Sequence, residues 1–245
     1  MTEKVWREPI IGRQLSLKNN FNFQKLIDAP CLMSIPQRLM LFTLVAGTAP
    51  RRYLEIGPGR GGSARIVRYA IECIGDPEFR GCSIGPALQN VLPEVREAVE
   101  DRFEFIEGFC GAPSVMQAHR SAGGDFDIIL IDALHDLENA RFDAMTTFPY
   151  LAPGGVMLFD DANYYEIRDA VDECIRMLPV DDCGYISRHG GRDEKNVRPE
   201  NDRWQGEEGV WGGMYMLRKH DDAPSMSEKK SGPMIDEYVV LKRKY

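Results

Sequence analysis

Residues 53–63, reading Tyr-Leu-Glu-Ile-Gly-Pro-Gly-Arg-Gly-Gly-Ser, constrain this chain more than any other stretch. A short apolar run (Tyr53, Leu54, Ile56) carries one acid, Glu55, and opens into Gly57, Gly59, Gly61 and Gly62. Behind the glycines, Ile66, Ala70 and Ile74 recur at intervals of four with Val67 and Ile71 beside them. That is the spacing of one buried helical face. Strand, glycine turn and helix in succession is how an open α/β sheet offers a ligand the free backbone N–H groups of a helix start. Glycine suits such a turn because its dihedrals are unusual and a side chain would block the ligand.

The glycines by themselves also fit the dinucleotide pattern G-x-G-x-x-G, through Gly57, Gly59 and Gly62. That pattern calls for an acid about 20 residues further on, at the end of the next strand. The chain there reads Gly-Cys-Ser-Ile-Gly-Pro-Ala-Leu, without one. Glu55 closes the first strand with a carboxylate, which suits a ligand carrying an amino or sulfonium group and repels a pyrophosphate. The plain alternative is a tight strand-to-helix turn that holds no ligand.

The rest of the chain extends the same pattern. Residues 1–30 read as an arm or short helices outside the sheet. Residues 34–46 are predicted helical, with Ser34 as cap and Pro36 in the first turn. Strands are expected at 80–84, Phe103–Glu107, Phe126–Asp132 and 156–161, with helices over 88–100, near Ser114–Arg120, after Asp132 and after Asp161. The 126–132 run is apolar enough to be buried on both faces of a parallel sheet. Two closing strands are expected around Tyr185–Arg188 and Val210–Leu217. The fold class is therefore α/β: a doubly wound, mostly parallel seven-stranded sheet with helices on both faces. Three regions are read: 1–48 as N-terminal arm and cap helices, 49–218 as the core, and 219–245 as a C-terminal extension that adds an edge strand.

Composition narrows the partners. A net charge of −8 argues against a nucleic-acid binder. No run approaches the length of a membrane span and the first residues lack a signal-peptide pattern, so a soluble, cytoplasmic protein is expected. Six cysteines without a C-x-x-C pair read as buried free thiols. A homo-oligomer is compatible with all of this.

Three acids fall at strand ends on the ligand side: Asp132, and the adjacent Asp160 and Asp161. Left unpaired, carboxylates so gathered repel one another, and a divalent cation such as Mg²⁺ removes the repulsion. The alternative is that Asp160 or Asp161 caps a helix or faces water. His135, three residues past Asp132, has an ordinary pKa suited to taking a proton from a hydroxyl. The plain alternative is a surface histidine or helix cap, with Asp161 or a histidine of the late loop as the other candidate base.

E-x-G-x-G-x-G-G-S resembles the first motif of the class I S-adenosylmethionine-dependent methyltransferases, and later landmarks arrive in that family's order over about residues 30–218. The resemblance implies that Gly57, Gly59, Gly61 and Ser63 pass under the cofactor and that Glu55 helps hold its methionine end. It assigns the cofactor's ribose to the position of Gly85, its adenine to the neighbourhood of Phe109 or Cys110, and a further contact to Asp132. Asp132 with Asp160 and Asp161 is similar to the metal site of magnesium-dependent O-methyltransferases, in the macrolide-sugar arrangement rather than the catechol one. His135 stands where the catechol-type enzymes carry a catalytic lysine. At Gly85 the family's ribose-binding acid is missing, so Ser83 or Gln89 substitutes, or the cofactor is weakly bound or different. The expected reaction is metal-assisted O-methylation of a small hydroxylated molecule. A metal-independent methyltransferase and a lapsed, ligand-binding relative are the alternatives. A long polar loop, 189–208, is expected either to offer Arg192, Arg198, Arg203 and Trp204 to a polar or anionic substrate, if the strand before it runs parallel to the others, or to be a disordered surface loop.

Overall fold

The computed structural model describes residues 21–75, 78–188 and 212–228. In chain order the elements are α1 (Gln24–Ile27), α2 (Ile35–Thr48), β1 (Arg52–Ile56), α3 (Gly62–Ile74), β2 (Arg80–Gly85), α4 (Pro93–Val99), β3 (Phe103–Glu107) and α5 (Ala112–Ala122). They continue with β4 (Phe126–Ile131), α6 (Leu137–Thr147), β5 (Leu151–Asp160), α7 (Tyr165–Met177), β6 (Val180–Ser187) and β7 (Met214–Lys219). The strands form one seven-stranded sheet in the order β3-β2-β1-β4-β5-β7-β6. Neighbours pair in parallel from β3 to β5, and β7 runs antiparallel to both β5 and β6.

The central strands β1, β4 and β5 are buried on both faces because they are apolar at nearly every position. Leu54, Ile129, Ile131, Met157 and Phe159 pack into one core with α5, α6 and α7. Their alternating neighbours Tyr53, Ile128, Leu130, Val156 and Leu158 pack into a second core with α1, α2 and α3. This is the period of two of a pleated strand. By the same alternation Glu55 and Asp160 fall on the face toward α2 and α3. A Leu-to-Ala change in either core would cost about 2–5 kcal/mol.

Several expectations are corrected. The helix over 88–100 is two pieces, a 3-10 turn at Leu88–Asn90 and then α4, because Pro93 disfavours helical geometry at Leu92 and serves as a first-turn residue. β5 begins five residues earlier than expected, at Leu151, and ends at Asp160, because Asp161 has a left-handed backbone (φ 54°). β7 begins at Met214 and reaches Lys219, which is fully buried and donates to the Leu151 carbonyl at 2.7 Å. Cys73, Cys82, Cys110 and Cys174 are buried thiols as expected, whereas Cys183 is exposed on β6. The expected loop 189–208 and C-terminal edge strand lie outside the described residues. Among the described residues no helix is long and apolar enough to cross a membrane.

Candidate active site

A cavity of about 910 Å³ opens at the carboxyl ends of β1, β2, β4 and β5. Its floor is the glycine loop, and two of the glycines are forced by geometry. Gly57 has φ 95°, and a Cβ there would lie 1.9 Å from the backbone oxygen of Asp132. A Cβ on Gly62 would lie 2.4 Å from Cβ of Cys31, in the segment that closes the cavity from above. Gly59 faces open space, so the loop backbone is bare on the cavity side. Gly61 turns the other way, against Val91 and Val95.

Glu55 sits behind this loop and is not among the cavity-lining residues. It is fully buried, and its carboxylate accepts hydrogen bonds from the hydroxyls of Ser63 and Ser83. Burial pushes its pKa up to about 7, against the lowering effect of the two serines. Ser63 lines the cavity as well, so the acid acts on the site by fixing the first turn of α3. Ser83 is committed to Glu55, and Gln89 is exposed and outside the lining. Neither is among the cavity-lining residues, while Asn90, which the sequence did not single out, lines the cavity. Gly85, Phe109 and Cys110 line the same end.

At the other end lie the acids. His135 is three residues past Asp132, and its Nε2 is 3.7 Å from Oδ1 of Asp132 and 2.7 Å from Oδ2 of Asp161. The left-handed backbone at Asp161 swings that carboxylate toward the histidine, a conformation asparagine and aspartate tolerate better than other side chains. Burial alone would lower the imidazole's pKa, but hydrogen bonds and charge from Asp132 and Asp161 outweigh it and push it up to about 10. At neutral pH the ring is thus an imidazolium between two carboxylates. Burial and the Asp161 charge raise Asp132, against the lowering effect of His135.

Asp160 lines the cavity too, with one oxygen turned to α2. Its Oδ1 accepts from Nε2 of Gln37 at 2.5 Å, inside the protein. Burial first, then the charges of Asp132 and Asp161, push its pKa well above the carboxylate range. Gln37 also accepts from the Ser34 backbone, as the third residue of a capping box at the start of α2. Of the expected set Asp132, Asp160 and Asp161, two are gathered with His135, while Asp160 lines the same cavity with one carboxylate oxygen engaged by Gln37. Candidate ligand atoms of Asp132, His135 and Asp161 lie within 4.8 Å of one another. Two carboxylates and an imidazole suit Mn²⁺ as well as Mg²⁺, since imidazole favours first-row transition ions.

The wall over the glycine loop, Pro30–Met33, is held by one side chain the sequence gave no reason to notice. The Arg38 guanidinium donates to the carbonyls of Leu26, Ile27, Ala29, Cys31 and Met33 at 2.6–2.9 Å. Burial pushes the Cys31 thiol up to about 11, so this cavity cysteine stays protonated and is a poor nucleophile.

Residues 54–162 match the model of a family described as a methyltransferase domain. Among solved structures, an O-methyltransferase from Bacillus cereus in complex with S-adenosylhomocysteine superposes with a TM-score of 0.59 at 18% identity, covering 80% of this chain and 90% of that one. The O-methyltransferase TomG from Streptomyces achromogenes, involved in tomaymycin synthesis and solved with S-adenosylmethionine, gives 0.56 at 18% identity over 84% of this chain and 92% of that one. A putative O-methyltransferase from Klebsiella pneumoniae gives 0.56 at 17% identity, over 81% and 86%. At these identities the likeness establishes the fold. No curated protein sequence matches the chain.

Proposed function

For a chain whose residues 54–162 form a methyltransferase domain within the class I methyltransferase fold, we propose S-adenosylmethionine-dependent O-methylation of a small hydroxylated molecule, assisted by a divalent cation. One observation carries the reading: a single cavity joins the bare glycine loop to the cluster of Asp132, His135 and Asp161. The cofactor supplies an activated methyl on a sulfonium leaving group, so the protein needs to bind, orient and deprotonate. The loop from Gly57 to Ser63 and the Cys31–Met33 wall would hold the cofactor. Asp132 and Asp161 would hold the cation, whose chemistry is to lower the pKa of an acceptor hydroxyl.

His135 would take the proton. Its high pKa makes it an acid while it is paired with both carboxylates. A positive charge between those carboxylates would weaken the pairing and bring the imidazole toward the range of a base. A second reading, methyl transfer without metal, is favoured by the 2.7 Å ion pair itself, because the imidazolium already supplies the counter-charge.

Calorimetric titration of S-adenosylhomocysteine with Mg²⁺ or Mn²⁺, and again with EDTA, tests the cofactor. Methyl transfer to a panel of hydroxylated acceptors in the same buffers tests the cation. We expect cofactor binding in both buffers and transfer that stops with EDTA. Transfer that persists in EDTA would promote the metal-free reading, and absence of cofactor binding in both buffers would overturn the methyltransferase proposal.

A further inference from the structure

Resting on the methyltransferase reading, we propose that the side-chain amide of Asn90 holds the cofactor's ribose hydroxyls in place of the strand-end acid, which Pro58 excludes from position 85. In doubly wound sheets the ribose of a bound nucleoside is commonly met by an acid that follows the second strand. Here that strand ends in Gly85, and a Cβ built there would lie 2.5 Å from Cδ and 3.0 Å from Cγ of Pro58. The proline ring has no rotamer with which to give way. It is also pinned within the loop: Gly57 N–H donates to the Ile84 carbonyl at 2.9 Å, and Gly61 N–H donates to the Pro58 carbonyl at 2.6 Å. Positions 58 and 85 are therefore matched, and the missing acid is a consequence of the loop's own sequence.

The ribose hydroxyls are donors and still require an acceptor. Two polar side chains line the cavity at this end, Arg60 and Asn90. A guanidinium offers donors only, whereas an amide offers a carbonyl oxygen and an NH₂ together, which suits a pair of neighbouring hydroxyls. Asn90 is also well positioned to act. It ends the 3-10 turn Leu88–Asn90, with its backbone N–H donating to the Ala87 carbonyl at 2.9 Å. That turn is fastened to the glycine loop, since Leu92 N–H donates to the Arg60 carbonyl at 3.2 Å and Val91 and Val95 pack against Gly61. The backbone at Asn90 thus has a fixed station relative to the loop that carries the rest of the cofactor, and the amide reaches from it.

The test is calorimetric titration of S-adenosylhomocysteine and its 2′-deoxy and 3′-deoxy ribose analogues into wild type, Asn90→Ala, Gly85→Asp and the double variant Pro58→Ala with Gly85→Asp. Asn90 is exposed, so Asn90→Ala should melt with wild type. It should bind S-adenosylhomocysteine about fivefold more weakly, the worth of one hydrogen bond. At least one deoxy analogue should lose affinity in wild type and lose nothing further in Asn90→Ala. Gly85→Asp should bind at least tenfold more weakly than wild type, and the double variant should recover affinity relative to it. Equal losses for the deoxy analogues in wild type and Asn90→Ala, or a Gly85→Asp variant that binds like wild type, would overturn the assignment while leaving the cofactor intact. A wild type that does not bind S-adenosylhomocysteine would overturn both this inference and the reading beneath it.

Discussion

The two ends of the cavity are built on different physics. At the ends of β4 and β5 the site is made of charge: Asp132, His135 and Asp161 interlock across 2.7–3.7 Å, and Asp160 is drawn inward to Gln37. At the ends of β2 and β3 it is made of shape: Gly85, Pro86, Ala87 and Phe109 line a surface without a carboxylate, and a proline ring occupies the space an acid would need. The charged end owes its properties to partners that shift one another's protonation. The end without carboxylates owes its shape to a proline ring and backbone atoms that cannot give way. Such a division suits a site in which one end holds a cofactor and the other carries out proton transfer.

The two ends meet at Gly57, and the largest effect is expected there. Gly57→Ala sets a methyl against the Asp132 carbonyl oxygen at a φ of 95°, so it should cost about 3 kcal/mol or more and lower the melting temperature by roughly 10 °C. A variant that melts with wild type would mean the two strand ends are not in the contact described.

Glu55 tests whether burial governs both ends. Its folded-state value of about 7 lies above the ordinary 4.5. The contribution of the neutral carboxyl to stability is therefore complete below about pH 4.5 and is lost as pH rises through about 7, a change of about 3 kcal/mol. Glu55→Gln stays neutral, so its unfolding free energy should fall less than that of wild type between pH 5 and 8. Parallel denaturation curves for the two proteins across that range would show that Glu55 does not titrate there.

Asp161→Asn separates the ends. With its 2.7 Å partner neutral, the His135 imidazole should titrate well below its value of about 10, as followed by NMR. Methyl transfer should fall about 100-fold, the usual size of a lost acid–base contribution. Affinity for S-adenosylhomocysteine should change by less than about twofold, since the substitution lies at the charged end. A large loss of cofactor affinity would join what we have described as two separate functions.

Much of this was readable from the sequence because it is local. The continuous apolar run of Phe126–Ile131 and the helical spacing behind the glycines depend on neighbours within a few residues, and both survive intact in the fold. So does the capping of α2 by Ser34, whose partner Gln37 is three residues away. Where local signals misled, a nearby residue explains it: Pro93 divides the expected helix over 88–100, and the backbone at Asp161 ends β5 one residue early.

The sequence by itself determined the doubly wound sheet, the glycine loop, and the gathering of Asp132, His135, Asp160 and Asp161 at one edge, because strand and helix periods dictate which chain ends point the same way. Only the tertiary structure decided which of those acids face one another. Gln37 reaches Asp160 across 123 positions of chain, Ser83 meets Glu55 across 28, and Pro58 meets Gly85 across a sheet edge. Such pairings are fixed by packing between elements distant in sequence, and no periodicity within an element records them.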